Sequence, residues 1–170
     1  DGDPLHQRLG RIIHDNTQRL NRLVTEVLEL GRRDRAQPET LRWRKFLTGF
    51  LDELALHDPT VDRRISFGDT DVELRFDRAH LYRVLWNLLG NALRHASDRD
   101  GAVRIEARVA GAAQTVELHV IDDGPGIPEA QRNQVFEPFF TTHGAGTGLG
   151  LYIARELCEA SGARLELIEE

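Results

Sequence analysis

The first part of the chain carries a heptad pattern of apolar side chains. Seven positions, alternately four and three residues apart, form the pattern, and all but Asn16 are apolar: Leu9, Ile13, Asn16, Leu20, Leu23, Val27 and Leu30. This spacing predicts one helix over residues 5–36 that packs against other helices along a single seam. Such a helix is not stable alone, so we expect its stripe to meet a helix outside the chain or a second copy. Docking on the chain's own globular part is the alternative.

From residue 41 onward, strand-like and helix-like patterns alternate irregularly. The predicted strands cover 41–43, 64–67, 72–76, 103–109, 115–121 and 164–168, and the predicted helices cover 46–56, 77–96 and 149–160. Gly68, Asp69 and Thr70 form the predicted turn between the second and third strands, and Asp77 is the predicted N-cap of the middle helix. The order lacks a regular βαβ rhythm, which indicates an α+β fold. We expect a two-layer α/β sandwich, with helices covering one face of a mixed sheet, preceded by the long helix.

Composition narrows the possible functions. The chain has 170 residues, 22 basic and 28 acidic, and 40% of its residues are hydrophobic, which is enough for a packed core. The acidic balance argues against nucleic-acid binding. No apolar run reaches the length of about 20 residues that a bilayer helix needs, so we expect no membrane contact. Cys158 is the single cysteine and methionine is absent, so we expect a part of a longer protein without an internal disulfide.

The predicted helix 77–96 carries two amides in its apolar stripe. Asn87 and Asn91 are four residues apart and share one helix face. A bare amide in apolar surroundings costs free energy unless it finds a partner. Amide oxygens suit a Mg²⁺ ion that keeps its water and phosphate ligands, and Arg94 could reach a phosphate. Helix capping or a buried amide pair without a ligand is an equally good interpretation of these residues alone.

A predicted strand ends directly before the sequence from Asp122 to Ile127. Gly124 and Gly126 allow a tight turn and close approach of the backbone to a flat ligand. Asp122 can accept a hydrogen bond from an exocyclic amine. By itself, an ordinary Asp-Gly turn explains the segment at least as well.

Glycines precede the last predicted helix, and an aromatic segment precedes the glycines. Residues 144–151 place a glycine-rich backbone at a helix N-terminus, where free N–H groups can bind phosphate. Residues 136–142 could anchor the base of a mobile loop. A surface hinge beside a core cluster is the other interpretation.

Together, in this order, the four segments resemble the ATP-binding catalytic domain of sensor histidine kinases, in the superfamily of gyrase, Hsp90 and MutL. The matching positions are those of the N box (Asn87, Asn91, Arg94, His95), the G1 box (Asp122, Gly124, Gly126), the F box (Phe136, Phe139) and the G2 box (Gly146, Gly148, Gly150). The short lid is similar to that of nitrogen-regulation and type IV pilus sensor kinases. Residues 1–38 then resemble the second helix of a dimerisation and histidine-phosphotransfer bundle, and residues 39–170 the ATP-binding domain.

The resemblance implies ATP and Mg²⁺ as cofactors and a role for each matching position. Asn91 would ligate Mg²⁺, Asn87 and Arg94 would hold phosphates, and His95 would lie against the nucleotide. Asp122 would accept from the adenine amine. The rest of the implied ATP site is Gly124, Gly126, Ile127, Thr141, Thr142, Gly146, Thr147, Gly148 and Leu149. His143 stands in the lid where this subgroup often has lysine.

One position favours a kinase over an ATPase. The ATP hydrolases of the superfamily carry a water-activating glutamate where this chain has Asn87, and an amide cannot accept the proton. The usual phosphoacceptor motif is absent, and His14 is a poor imitation of it. The resemblance therefore implies phosphoryl transfer to a histidine outside this chain and relay to a response-regulator aspartate. It also implies a homodimer, on the cytoplasmic side of a protein anchored in the inner membrane. The alternatives are a degenerate, non-catalytic nucleotide-binding module and an anti-sigma-factor serine kinase, which would normally carry glutamate at position 87.

Overall fold

A computed structural model describes residues 4–31, 35–111, 115–142 and 146–168. The helices are α1 (Pro4–Leu30), α2 (Trp43–His57), α3 (Val61–Arg64), α4 (Arg78–His95), α5 (Glu129–Arg132) and α6 (Gly150–Ala160). The strands are β1 (Glu39–Arg42), β2 (Ile65–Phe67), β3 (Glu73–Phe76), β4 (Val103–Ala110) and β5 (Thr115–Asp122). The predicted α+β fold, with a long helix before the layered part, is confirmed.

The described strands form two sheets. β1 pairs antiparallel with β3, and β4 lies between β2, which is parallel to it, and β5, which is antiparallel. The predicted turn at residues 68–70 is therefore wrong as a hairpin, because the strands on either side of it belong to different sheets. The backbone N–H of Gly68 donates to the carbonyl of Ile105 at 3.3 Å, which extends β2 along β4 and away from β3.

Helix α4 is the element on which both amides of interest lie. Its predicted N-cap is confirmed, since Oδ1 of Asp77 accepts from the backbone N–H of His80 at 2.9 Å. The helix buries one face in the core and packs against α6 and β5. The largest of the almost fully buried side chains come from both layers: Leu41, Leu47, Val61, Leu85, Leu89, Val103, Ile105, Leu149, Ile153 and Leu157. The core therefore fixes α4 and α6 side by side.

An aromatic cluster covers the junction of α2 and α4. The rings of Tyr82 and Trp86 stack with their centroids 6.1 Å apart. Phe50 meets both rings edge-on, and the His57 ring meets Trp86 edge-on at 5.4 Å. Such contacts add to the apolar burial that attaches α2 to α4.

Helix α1 leaves most of its apolar stripe exposed. Leu23 and Leu30 pack against the core, but Ile13 is 66% exposed and Leu20 is 61% exposed. The helix ends at Leu30, before Gly31, rather than at the predicted residue 36. Only its C-terminal end docks on the globular part. None of the helices within the described ranges is long and apolar enough to cross a membrane.

The remaining differences from the predicted elements have local causes. Residues 164–168 alternate in polarity but form no strand, since no described strand supplies a ladder partner; Leu165 alone of them packs on the core. Helix α2 begins at Trp43 and not at Phe46, and β1 begins at Glu39. Helices α3 and α5 have four residues each, too few to show a period.

Candidate functional site

Asn87 carries a buried donor on a side chain that lies beside the start of α6. Its Nδ2 atom is buried and has no hydrogen-bond partner within the described residues. A Cβ atom added to Gly150 would lie 3.6 Å from Oδ1 of Asn87 and 3.7 Å from its Cγ, so the amide lies beside the first residue of α6. An unpaired buried donor costs about 1–3 kcal/mol, and an acceptor from a ligand would remove that cost.

One turn further along α4, the amide of Asn91 already has a partner. Nη1 of Arg94 donates to Oδ1 of Asn91 at 3.2 Å. A cationic group of the chain thus contacts the oxygen that was predicted to ligate Mg²⁺. Asn91 is half-buried and Arg94 is exposed, so this contact lies at the surface end of the site.

The turn after β5 lies against the C-terminal end of α4. Oδ1 of Asp122 accepts from the backbone N–H of Gly124 at 2.9 Å. A Cβ atom on Gly124 would lie 2.5 Å from that oxygen and 2.9 Å from the carbonyl oxygen of His95, so only glycine fits there. Gly126 has φ +73°, which also requires glycine. The predicted adenine turn and the end of the N-box helix are therefore in direct contact, and the carboxylate of Asp122 stays exposed.

The second acid of the doublet, Asp123, makes a cluster that sequence reasoning missed. Its carboxylate accepts from the backbone N–H of Ser97 at 2.8 Å, from the Ser97 hydroxyl at 2.6 Å and from Nη2 of Arg99 at 2.9 Å. The hydrogen bonds from Ser97, followed by that from Arg99, lower the pKa of Asp123 to about 2. The Asp122-Asp123 doublet was the available signal, but nothing in the pattern showed which acid was paired.

Arg64 is a second contributor that the sequence did not reveal. Its Nη2 donates to the carbonyls of Leu93, Ala96 and Ser97 at 2.7, 3.2 and 3.0 Å, and its Nε donates to Ser97 at 3.2 Å. The side chain is only 11% exposed. A fixed cation at a helix C-terminus donates hydrogen bonds to the last carbonyls and interacts favourably with the negative end of the helix dipole. Arg64 therefore stabilises the end of α4 that carries Asn91, Arg94 and His95.

The aromatic and glycine-rich segments meet at Phe139 and Gly148. Gly148 has φ +74°, and a Cβ atom there would lie 2.4 Å from the carbonyl carbon of Phe139. Phe139 itself has φ +66° and is 67% exposed, an unusual combination for a bulky residue. The backbone N–H of Leu149, which is 2% exposed, donates to Oγ1 of Thr147 at 3.3 Å.

The F box is also attached to α6, through a cation–π contact. The Arg155 guanidinium lies 5.7 Å from the centre of the Phe136 ring. Thr141 and Thr142 are exposed in the segment that follows Phe139. His143, Gly144 and Ala145 lie outside the described residues, so the predicted mobile lid and the role of His143 stay predictions.

The contacts join the four predicted segments in a chain. The G1 turn touches the end of α4 through Gly124, α4 touches the start of α6 through Asn87 and Gly150, and the G2 segment touches the F box through Gly148. No group of three or more His, Cys, Asp and Glu side chains that could hold a metal occurs in the described ranges. A Mg²⁺ ion at Asn91 would thus depend on phosphate and water for its other ligands, which suits this metal.

The model of the family described as histidine kinase-, DNA gyrase B- and HSP90-like ATPases matches residues 76–170. The chain belongs to this ATPase family. The match includes all four segments and extends from the start of α4 to the end of the chain.

Individual sequences give the same result as the family model. The sensor protein kinase PilS of Pseudomonas aeruginosa is 39% identical over 169 residues, which cover 96% of this chain and 32% of PilS. The sensor histidine kinase ZraS of Escherichia coli is 31% identical over 172 residues, 99% of this chain and 36% of ZraS. The chain thus spans about a third of the length of these curated relatives.

Solved structures of histidine kinases share the fold. The Acinetobacter baumannii histidine kinase AdeS superposes with a TM-score of 0.67 at 23% identity, over 94% of this chain and 75% of that one. The catalytic domain of the histidine kinase ThkA superposes with a TM-score of 0.57 at 28% identity, over 74% of this chain and 82% of that one. The first likeness supports the fold only, and it includes nearly the whole chain with its long helix.

Proposed function

We propose that the chain is the ATP-binding catalytic portion of a two-component sensor histidine kinase. It would deliver the γ-phosphoryl group of ATP to a histidine outside the chain, for relay to an aspartate in a response-regulator receiver domain. The observation that carries the proposal is the buried, unpaired Nδ2 of Asn87, on a side chain whose Oδ1 and Cγ lie beside Gly150 at the start of α6. An anionic oxygen there would accept from the amide and from the N–H groups of the helix N-terminus.

The turn after β5 supplies the proposed base site. The exposed carboxylate of Asp122 would accept from the adenine amine, and no atom lies within 4 Å of the Cβ position at Gly126, which leaves room for a flat ring. Ile127 lies at the far side of this turn, where its carbonyl accepts from Nε of Arg132 at 3.1 Å. That hydrogen bond anchors the end of the turn.

The phosphate end lies between α4 and the glycine-rich segment. Gly146, Thr147, Gly148 and Leu149 supply backbone, and Asn87 supplies the buried amide. Bound Mg²⁺ would supply charge neutralisation on the phosphate oxygens, with Oδ1 of Asn91 as the protein's ligand. Arg94 now donates to that oxygen, so we propose that it leaves Asn91 and turns to a phosphate when metal and nucleotide bind.

The amide at position 87 determines which acceptor receives the phosphoryl group. An amide orients a phosphate but cannot remove a proton from water, so hydrolysis lacks a base at this position. The γ-phosphorus–oxygen bond to ADP breaks as a bond from phosphorus to an imidazole nitrogen forms, and ADP leaves with its oxygen. The site's own residues bind and orient; the incoming histidine supplies the electron pair.

Helix α1 supports the proposed dimer. We propose that residues 1–38 belong to a dimerisation and phosphotransfer bundle, with α1 as its helix, and that residues 39–170 are the ATP-binding domain. Exposed Ile13, Leu20 and Val27 lie on the side of α1 that a partner helix would cover. Because ATP is a cytoplasmic substrate, we propose a cytoplasmic location for the chain. That the whole protein is anchored in the inner membrane is proposed from the resemblance to sensor kinases.

Calorimetry with ATP and ADP, with and without Mg²⁺, tests the binding part of this proposal. Wild type should bind both, and Asn91→Ala should lose affinity mainly when Mg²⁺ is present. Asp122→Asn should lose about 10- to 150-fold, since a hydrogen bond to a charged group is removed. Absence of ATP binding by folded wild type would contradict the proposal.

A transfer experiment tests the catalytic part. Labelled γ-phosphate should appear on a separate bundle domain that carries an acceptor histidine, and not on this chain alone. Asn87→Asp should abolish transfer while the chain stays folded, because a carboxylate repels the phosphates. Binding without transfer to any acceptor would indicate the non-catalytic module instead, and stable label on this chain would point to His14.

A further inference from the structure

Resting on the proposed function, we infer that Asp123 is a positioning residue for the adenine site. Its carboxylate joins the turn after β5 to the loop that follows α4, and through that junction it sets where Asp122 presents its own carboxylate. The two neighbouring acids thus have different tasks: Asp122 contacts the base, and Asp123 holds the turn.

The hydrogen bonds of Asp123 explain why it is not the base-binding acid. Oδ1 accepts from the Ser97 backbone N–H, while Oδ2 accepts from the Ser97 hydroxyl and from Arg99. The backbone N–H of Asp123 also donates to the carbonyl of Ala102 at 3.0 Å. Both carboxylate oxygens are therefore engaged by the protein, and the Arg99 guanidinium balances the charge.

Asp122 depends on this junction for its place relative to α4. The hydrogen bond that its carboxylate makes with the backbone N–H of Gly124 lies within the same turn. It therefore fixes the shape of the turn but not the turn's position on the domain. Asp122 is the last residue of β5 and pairs with Val103 of β4, so the sheet fixes the start of the turn. The position of the turn relative to α4 comes from the next residue, Asp123, and from the close approach of Gly124 to the carbonyl of His95. Loss of the Asp123 contacts should let the turn, and Asp122 with it, shift from the site on α4.

The same loop offers a control that lies away from the turn. Arg63 pairs with Asp98 at 2.7 Å and with Asp100 at 3.0 Å, and both acids are largely exposed. These ion pairs hold the loop to α3 from the outer side and do not involve Asp122, Asp123 or Gly124. Removing them should loosen the loop without moving the base-binding carboxylate.

The experiment compares ADP with IDP, whose base has a keto oxygen in place of the exocyclic amine. Dissociation constants are measured by calorimetry in Mg²⁺ for wild type, Asp123→Ala, Ser97→Ala and the control Arg63→Ala. Wild type should prefer ADP. In Asp123→Ala the ADP affinity should fall about 10-fold and the IDP affinity much less, so that the preference shrinks. Ser97→Ala should give a smaller shift in the same direction, and Arg63→Ala should leave the preference unchanged.

A double variant separates positioning from mere stability. In Asp122→Asn the amine-binding carboxylate is already gone, so adding Asp123→Ala should cost little further ADP affinity. Melting temperatures identify variants that fail to fold, and Ser97→Ala and Asp123→Asn keep part of the cluster if Asp123→Ala does not fold. If Asp123→Ala and Ser97→Ala both keep the wild-type preference for ADP, the inference is overturned and the proposed function still stands. Failure of wild type to bind ADP overturns the proposed function as well.

Discussion

Replacing Asn87 with leucine should make the ligand-free protein more stable. Leucine has the same branching and the same number of side-chain heavy atoms as asparagine, so it follows the same path beside Gly150 without leaving a cavity. The change removes a buried donor that has no partner in the described structure, which is worth about 1–3 kcal/mol. Leucine also has the better helix propensity, by about 0.5 kcal/mol. The free energy of unfolding should rise by about 1.5–3.5 kcal/mol.

That gain is large enough to measure by thermal and urea unfolding. At about 2–4 °C per kcal/mol for a chain of this size, Tm should rise by about 3–14 °C. Nucleotide should reduce the difference in stability between the variant and wild type. Mg-ATP at 100 times its Kd stabilises wild type by about 2.7 kcal/mol, and the variant should show no such shift.

Asn91→Leu is the matched control, one turn away on the same helix. The Asn91 amide oxygen already accepts from Arg94. Replacing Asn91 therefore breaks an existing hydrogen bond and removes no unpaired buried donor. We expect no gain in Tm for Asn91→Leu. If Asn87→Leu is no more stable than wild type, Nδ2 of Asn87 has a partner in solution and the reasoning about its cost fails.

Four further changes test other parts of the structure. In a urea titration, Gly148→Ala should lower the free energy of unfolding by about 1–3 kcal/mol and also weaken ATP binding, because the added Cβ would meet Phe139 and φ is +74°. Gly49→Ala, at an open helix position, is the control and should raise the free energy of unfolding slightly. Arg64→Ala should cost about 3 kcal/mol in urea unfolding, and equal stability would show that water replaces its four contacts. Burial raises the pKa of the Cys158 thiol to about 12, so thiol reagents should react only on unfolding. Asp123 contributes stability above about pH 4 that is lost as pH falls toward 2, because its pKa is lower when folded; Asp123→Asn should flatten the stability profile there.

Local pattern was enough to predict the helix that carries the site. The helical period placed Leu81, Leu85 and Leu89 on the inner face of α4, and the N-cap at Asp77 follows from residue type alone. The same period put Asn87 and Asn91 on one face. These features depend on neighbours within four residues, which a sequence shows directly.

Features that depend on distant partners could not be predicted in this way. The strands β2 and β3 have the right polarity for a hairpin, yet β2 pairs with β4, which is far along the chain. The alternation over 164–168 lacks a ladder partner and forms no strand. The Asp123 cluster joins residues 24 and 26 positions apart, at a distance where no period applies. The proposed base-binding acid, Asp122, is identified from a motif, whereas the contacts that hold its turn could not be predicted from the sequence.

The aromatic cluster contains a fluorescent side chain, Trp86, next to the proposed phosphate site. Of the chain's two tryptophans, Trp43 is 3% exposed in the core, whereas Trp86 is partly exposed and precedes Asn87 directly on α4. Its indole stacks on Tyr82 and meets His57 edge-on, surroundings that make its emission sensitive to small movements of the helix. With Trp43 replaced by phenylalanine, fluorescence from a single native indole would follow nucleotide binding in real time without any attached dye.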